Sequence, residues 1–139
     1  MQLERDRGVS TPVEMIAMAI AALAAIVFLG FLGRLHAAAV QVTNVAQSAA
    51  RAASLETDPS AAERAALEVV GTSPLTTRCV GGGQTTLVWA PSPTGEWRGG
   101  SVTVTVECRV RLQSLASVWV PGSRVVAMSD TQPVDRYQR

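Results

Sequence analysis

The chain has a single histidine (His36), a single tyrosine and two cysteines, and only 4% of its 139 residues are aromatic. It contains no lysine, so all twelve basic residues are arginine. Each shortage closes off a class of function. With one histidine beside the end of an apolar run, no Ser/His/Asp or Cys/His arrangement can be assembled, and the chain is not expected to be an enzyme. Twelve basic against eleven acidic residues leave a formal charge of +1, which makes no electrostatic case for nucleic acid. The two cysteines are not spaced as CxxC and have no histidine or carboxylate cluster beside them, a poor metal set. "VGGGQ" at residues 80–84 lacks the Lys-Ser/Thr of a phosphate loop and reads as a turn between strands. No cofactor is expected. The all-arginine usage, with much alanine, valine and glycine, reads as a high-GC bacterial coding bias.

What the sequence does have is a run without any charge from 15 to 33. At about 1.5 Å per residue its roughly 19 residues make a helix about 28 Å long, matching the hydrocarbon thickness of a bilayer. A cleaved secretory signal is the alternative, since "HAAAV" offers small residues after the run, but the run is longer than a signal's apolar region. The division expected is a cytoplasmic tail or leader over 1–14, a transmembrane helix over 15–33, an extracytoplasmic helical segment over 34–71 and a small disulfide-tied sheet domain over 72–139. Counting charges orients the helix poorly, because Arg5 and Arg7 face Arg34 and Arg51 across it. Cys79 and Cys108 pair if their side of the run leaves the cytoplasm; otherwise they are independent buried thiols. Pairing places the N-terminus inside and the C-terminal domain outside.

Past Gly33, Leu35, Ala38, Val42, Val45, Ala49 and Ala52 recur at helical spacing, so one helix is expected from about Pro12 to Leu55. Thr11, Pro12 and Glu14 form a capping box at its start, and Ser60 with Glu63 forms another ahead of a short second helix, "AAERAALEVV". "QTTLVWA", "SVTVTVECRVRL" and "RVVAMSD" read as strands, the second turning Val102, Val104, Val106, Cys108, Val110 and Leu112 to one face. "PSPTGEWRGG" joins the first two as a hairpin loop. The fold class is α+β: a long N-terminal membrane helix extending outward, a short second helix, then a small antiparallel sheet. In the loop, Trp97 beside Arg98 reads either as a partner contact or as a ring folded back over the sheet edge; Trp89 and Trp119 read as core or edge packing. Glu14 reads either as part of the cap or as an acid that sets register by meeting a neighbouring subunit's amine in the membrane.

"RGVSTPVEM", the apolar run, "GRLHAAAVQVTNVAQSAARAASL", the later cysteine pair and the terminal "PVDRYQR" together resemble the TadE-like pilus assembly proteins, minor pseudopilins of tight-adherence (type IVb) pilus systems. The resemblance spans most of the chain and is strongest over 7–55. It implies insertion in the cytoplasmic membrane and cutting by a prepilin peptidase after Gly8, leaving Val9 as the new N-terminus. The family's acid stands five places after the cut; Glu14 stands six places after Gly8, with Pro12 between, so an uncut form is the second expectation. The function implied is assistance in assembling a pilus or related secretion apparatus, with other pilin-like subunits and membrane components as partners. The rival reading is a membrane-tethered surface module that binds through the 91–100 loop.

Overall fold

The computed structural model of the chain describes residues 7–113 and 121–135, with side chains from residue 12 onward. Trp119, Arg5 and the last four residues of the "PVDRYQR" motif lie outside the described residues. The architecture is α+β. Helix α1 spans Arg7–Ser54, α2 spans Pro59–Thr72 and a one-turn α3 spans Leu75–Arg78; strands β1 (Gln84–Ala90), β2 (Ser101–Arg111) and β3 (Ser123–Pro133) complete it. The strands form one antiparallel sheet in the order β1-β2-β3.

Helix α1 is continuous for 48 residues. It starts earlier than its sequence pattern predicts, and that overturns the first capping box. Thr11 is inside the helix rather than at its cap, Pro12 is an interior residue, and no acid lies in the first turn. Proline at this place leaves the carbonyl of Gly8 without the amide it would otherwise accept, a defect tolerated near a helix start because the first turns already carry unpaired groups.

The turn between α1 and α2 is fixed by a proline. The residue before a proline is disfavoured in α geometry, and Asp58 before Pro59 is extended, with φ −149° and ψ 159°. From there its carboxylate caps α2. Asp58 Oδ1 accepts from the amides of Ser60 and Ala61, each at 2.9 Å, and from Ser60 Oγ at 2.6 Å. The cap is therefore Asp58 with Pro59 at the first helical position, not Ser60 with Glu63. Ser60 comes one residue too late, and its hydroxyl is spent on the true cap.

The short connection turns α2 back along α1. Ala62, Ala66 and Val70 of α2 are buried, as are Val42, Ala46, Ala49, Ala50 and Ala53 of α1. The covered line on α1 is wider than the predicted one, taking in Ala46, Ala50 and Ala53 where periodicity pointed to Val45 and Ala52. Two neighbours share this helix, α2 on one side and the sheet on the other, so the buried arc lies between the two contact rows.

The sheet's inner face is carried by β2. Val102, Val104 and Val106 are fully buried, with Cys108 and Val110 continuing the row, as the alternation predicts. The glycine segment after α3 leads from a helix into β1 rather than from strand to strand. Gly81 and Gly82 both have positive φ (82° and 79°), a geometry that glycine takes without a Cβ clash. Cys79 and Cys108 form a disulfide across 29 positions of sequence, and the amide of Val80 donates to the carbonyl of Arg109 at 2.8 Å. The chain leaving the helices is thus tied to the middle strand.

A cross-link closing a loop of this length is worth about 3 to 4 kcal/mol in the chain-entropy account. Replacing both cysteines by alanine is expected to lower the unfolding free energy of the α+β domain by about that amount, measured by denaturant titration of the intact chain in detergent. A loss below about 1 kcal/mol would show that packing alone holds the sheet to the helices.

Candidate functional site

Among the described residues, nothing packs on the first half of α1 from elsewhere in the chain. Met15, Ile16, Met18, Ile20, Leu23, Ile26, Val27, Phe28 and Leu29 stay between 57% and 73% exposed. Successive residues step by about 100° round a helix, so these side chains occupy every side of it rather than a stripe. A helix apolar all round needs an apolar surrounding, and α1 is long and apolar enough to cross a membrane, with that segment entirely unburied in the chain. Glu14 stands exposed at one end of the run and Arg34 exposed at the other. They lie about 30 Å apart along the axis.

Contact with the domain begins inside the run's last turn. Phe31 and Leu35 pack against the core cluster, while Leu32 remains exposed. There is no bare helical stalk. His36, one turn beyond the run, is exposed.

The 91–100 loop is compact. The Ser92 amide donates to the Glu96 carbonyl, the Gly95 amide to the Ser92 carbonyl, and the Glu96 amide to Ser92 Oγ. Its end is tied to the chain beyond β3: the Gly99 amide donates to the Val134 carbonyl, and the Val134 amide to the Gly100 carbonyl. Of the pair Trp97 and Arg98, only Arg98 faces outward. Trp97 is 7% exposed, and its indole Nε1 donates to the Glu56 carbonyl at 2.8 Å. It also meets Trp89 with ring centroids 5.5 Å apart at a 46° tilt. The ring therefore closes the sheet against the α1–α2 turn, the fold-back alternative, and does not present itself as a partner contact.

A cleft that the sequence does not announce lies at the opposite end. It has a volume of about 430 Å³, with Arg34 and Arg78 beside an apolar floor of Ala38, Val42, Leu75 and Val110. The Arg78 guanidinium donates to Gln41 Oε1 from 37 residues away. The signal that would have found it is the length of α2. A helix of 14 residues returns the chain by about 21 Å, back to the level of Gln41. Among the described residues no cluster of three or more His, Cys, Asp or Glu is placed to hold a metal ion.

No protein-family model, no curated protein and no solved structure matches the chain.

These contacts carry two expected outcomes. Trp97→Phe keeps most of the apolar bulk but leaves the Glu56 carbonyl without its donor, and should cost about 1 kcal/mol in thermal or chemical unfolding; an unchanged midpoint would mean that water replaces the indole. Asp58 is held below its ordinary pKa of 3.8, first by the Ser60 hydroxyl and then by the Ala61 amide. A depressed carboxylate stabilises the fold above its unfolded pKa, and that contribution disappears as pH falls through the lower folded value. Asp58→Ala should thus lower Tm at neutral pH, with the gap from the parent chain closing below about pH 3.8; a gap of constant size would exclude the carboxylate as its source.

Proposed function

We propose that the chain is a non-enzymatic, membrane-anchored minor pilin-like component, of the TadE-like kind, that assists assembly of a tight-adherence pilus or related secretion apparatus. The observation that carries this reading is α1 itself. One uninterrupted helix is apolar on every side and unpartnered in its first half, then forms the spine of a small disulfide-bonded α+β domain in its second. Such a helix anchors in the cytoplasmic membrane and packs laterally on other subunits. The domain is held beyond the membrane, where a disulfide persists, and the N-terminus stays inside.

Glu14 is the residue that sets register. A carboxylate at the border of the hydrocarbon is costly unless it meets a cation, and an amine on a neighbouring subunit's helix supplies one. The Gly8–Val9 peptide lies in the first turn of α1. That places it on the inner side of the apolar run, within reach of a prepilin peptidase at the membrane face. The buried state of Trp97 weighs against the rival reading of a surface module that binds through the 91–100 loop.

Glu14→Gln is expected to leave membrane insertion intact and to reduce co-assembly with partner subunits roughly 5-fold, the effect of losing about 1 kcal/mol per polar contact between helices. Normal assembly of that variant would remove the ion pair from the account. The mass of the mature N-terminus separates a chain cut after Gly8 from an uncut one.

A further inference from the structure

We infer that the membrane-proximal end of the domain is a docking surface for anionic phospholipid headgroups, with one headgroup seated in the cleft between Arg34 and Arg78. The inference rests on the membrane-anchored reading of α1 and adds a ligand to it.

Three observations converge. The first is level. From Arg34 to Ser54, α1 rises about 30 Å, and the eleven residues of β2 span about 33 Å. Trp97, just before β2, bonds to Glu56, just after α1. The far end of β2 therefore comes down beside the helix exit, and Val110 lines the same cleft as Arg34. With Phe31 already packed on the core, that end of the sheet rests at the headgroup layer when 15–33 lies in hydrocarbon.

The second is charge. Arg109 and Arg111 are at this end of β2, and Arg124 stands opposite Val110 on β3. Arg78 precedes the disulfide, and the amide of Val80 just past it bonds to the Arg109 carbonyl. With Arg34, this gathers five of the chain's twelve basic residues at one end. Glu107, further up the outer face, is the nearest acid on β2. Glu56, Glu96 and Asp135 lie at the other end, beside Trp97 and the Gly100–Val134 bond.

The third is the shape of the cleft. Guanidinium groups beside an apolar floor fit a phosphodiester whose glycerol and first acyl carbons run on into the bilayer. Arginine suits this role because its planar fork can pair two phosphate oxygens. Basic residues just beyond a transmembrane helix are drawn to anionic lipid, each adding roughly a 5-fold preference.

The test uses the intact chain in bilayers that mix phosphatidylglycerol with phosphatidylcholine. Lipids retained on gentle extraction are counted by native mass spectrometry. The chain should hold phosphatidylglycerol in preference, and R34Q/R78Q should lose that preference by roughly 5-fold per arginine. R51Q/R64Q, away from this end, should retain it. Disulfide formation and helical signal are checked in each variant; should R34Q/R78Q not fold, R109Q/R111Q/R124Q carries the same expectation. Equal retention of both lipids, an unchanged preference in the variants of the basic end, or an equal loss in R51Q/R64Q overturns the inference. So does displacement of the lipid by millimolar inorganic phosphate, which would make a soluble anion the ligand. A chain that remains in the bilayer without lipid preference defeats this inference alone; one that does not remain there defeats the anchor as well.

Discussion

The hydrogen-bond ladder of α1 is the constraint on which the remaining structure depends. Backbone groups in hydrocarbon have no water to bond, so a single spanning segment must be helical throughout. In this chain the same ladder continues past Gly33 and becomes the central element of the domain. Phe31 and Leu35 belong to both regions, as the end of one and the floor of the other. On the proposed anchored reading, anchor and domain share one axis, and a tilt of the helix carries the sheet with it. A flexible linker would have let the domain find partners independently. A continuous helix instead would fix which end of the domain faces a membrane that the apolar run enters.

The same helix determines what kind of core is available. Its domain-facing side is mostly alanine, and so is the facing side of α2. Burying a methyl group removes little apolar area, and the return is only about 0.8 kcal/mol per carbon. The compensation is proximity, since small side chains let backbones approach and dispersion contacts accumulate. The larger pieces come from elsewhere: Leu75 from α3, the valine row of β2 and the Trp97 ring. With so few bulky residues inside, the Cys79–Cys108 bond takes a share of stability that a larger core would not need to assign to a cross-link.

Features governed by a repeating period are legible in the sequence. The apolar run, the strand alternation through Val102, Val104 and Val106 and the hairpin between β1 and β2 all appear where the pattern puts them. Features governed by a single residue's local choice are less so. Ser60 and Asp58 are both competent caps, and only the extended backbone ahead of Pro59 decides for Asp58. Pro12 reads as a helix start because proline favours that place, yet helical geometry reaches back to Arg7. Trp97 has two readings in sequence, and its burial depends on the Glu56 carbonyl, 41 residues away. Arg78 carries no local signal, because nothing adjacent to it announces Gln41; only the length of α2 points there.

These long-range meetings share one cause, which is a match of lengths. The outer part of α1, the returning α2 and the strand β2 each run most of the height of the domain. Among the described residues the chain therefore reverses at the two ends of the domain. Residues near a reversal meet others that are distant in sequence: Trp97 meets Glu56 at the top, and Arg78 meets Gln41 toward the base. A helix a turn longer in α2 would carry Leu75 and Cys79 past their partners on the sheet, and the disulfide would have to form elsewhere or not at all. The position of the disulfide and the gathering of arginines at the base are thus two results of a single geometric condition, that α2 ends level with the lower part of β2.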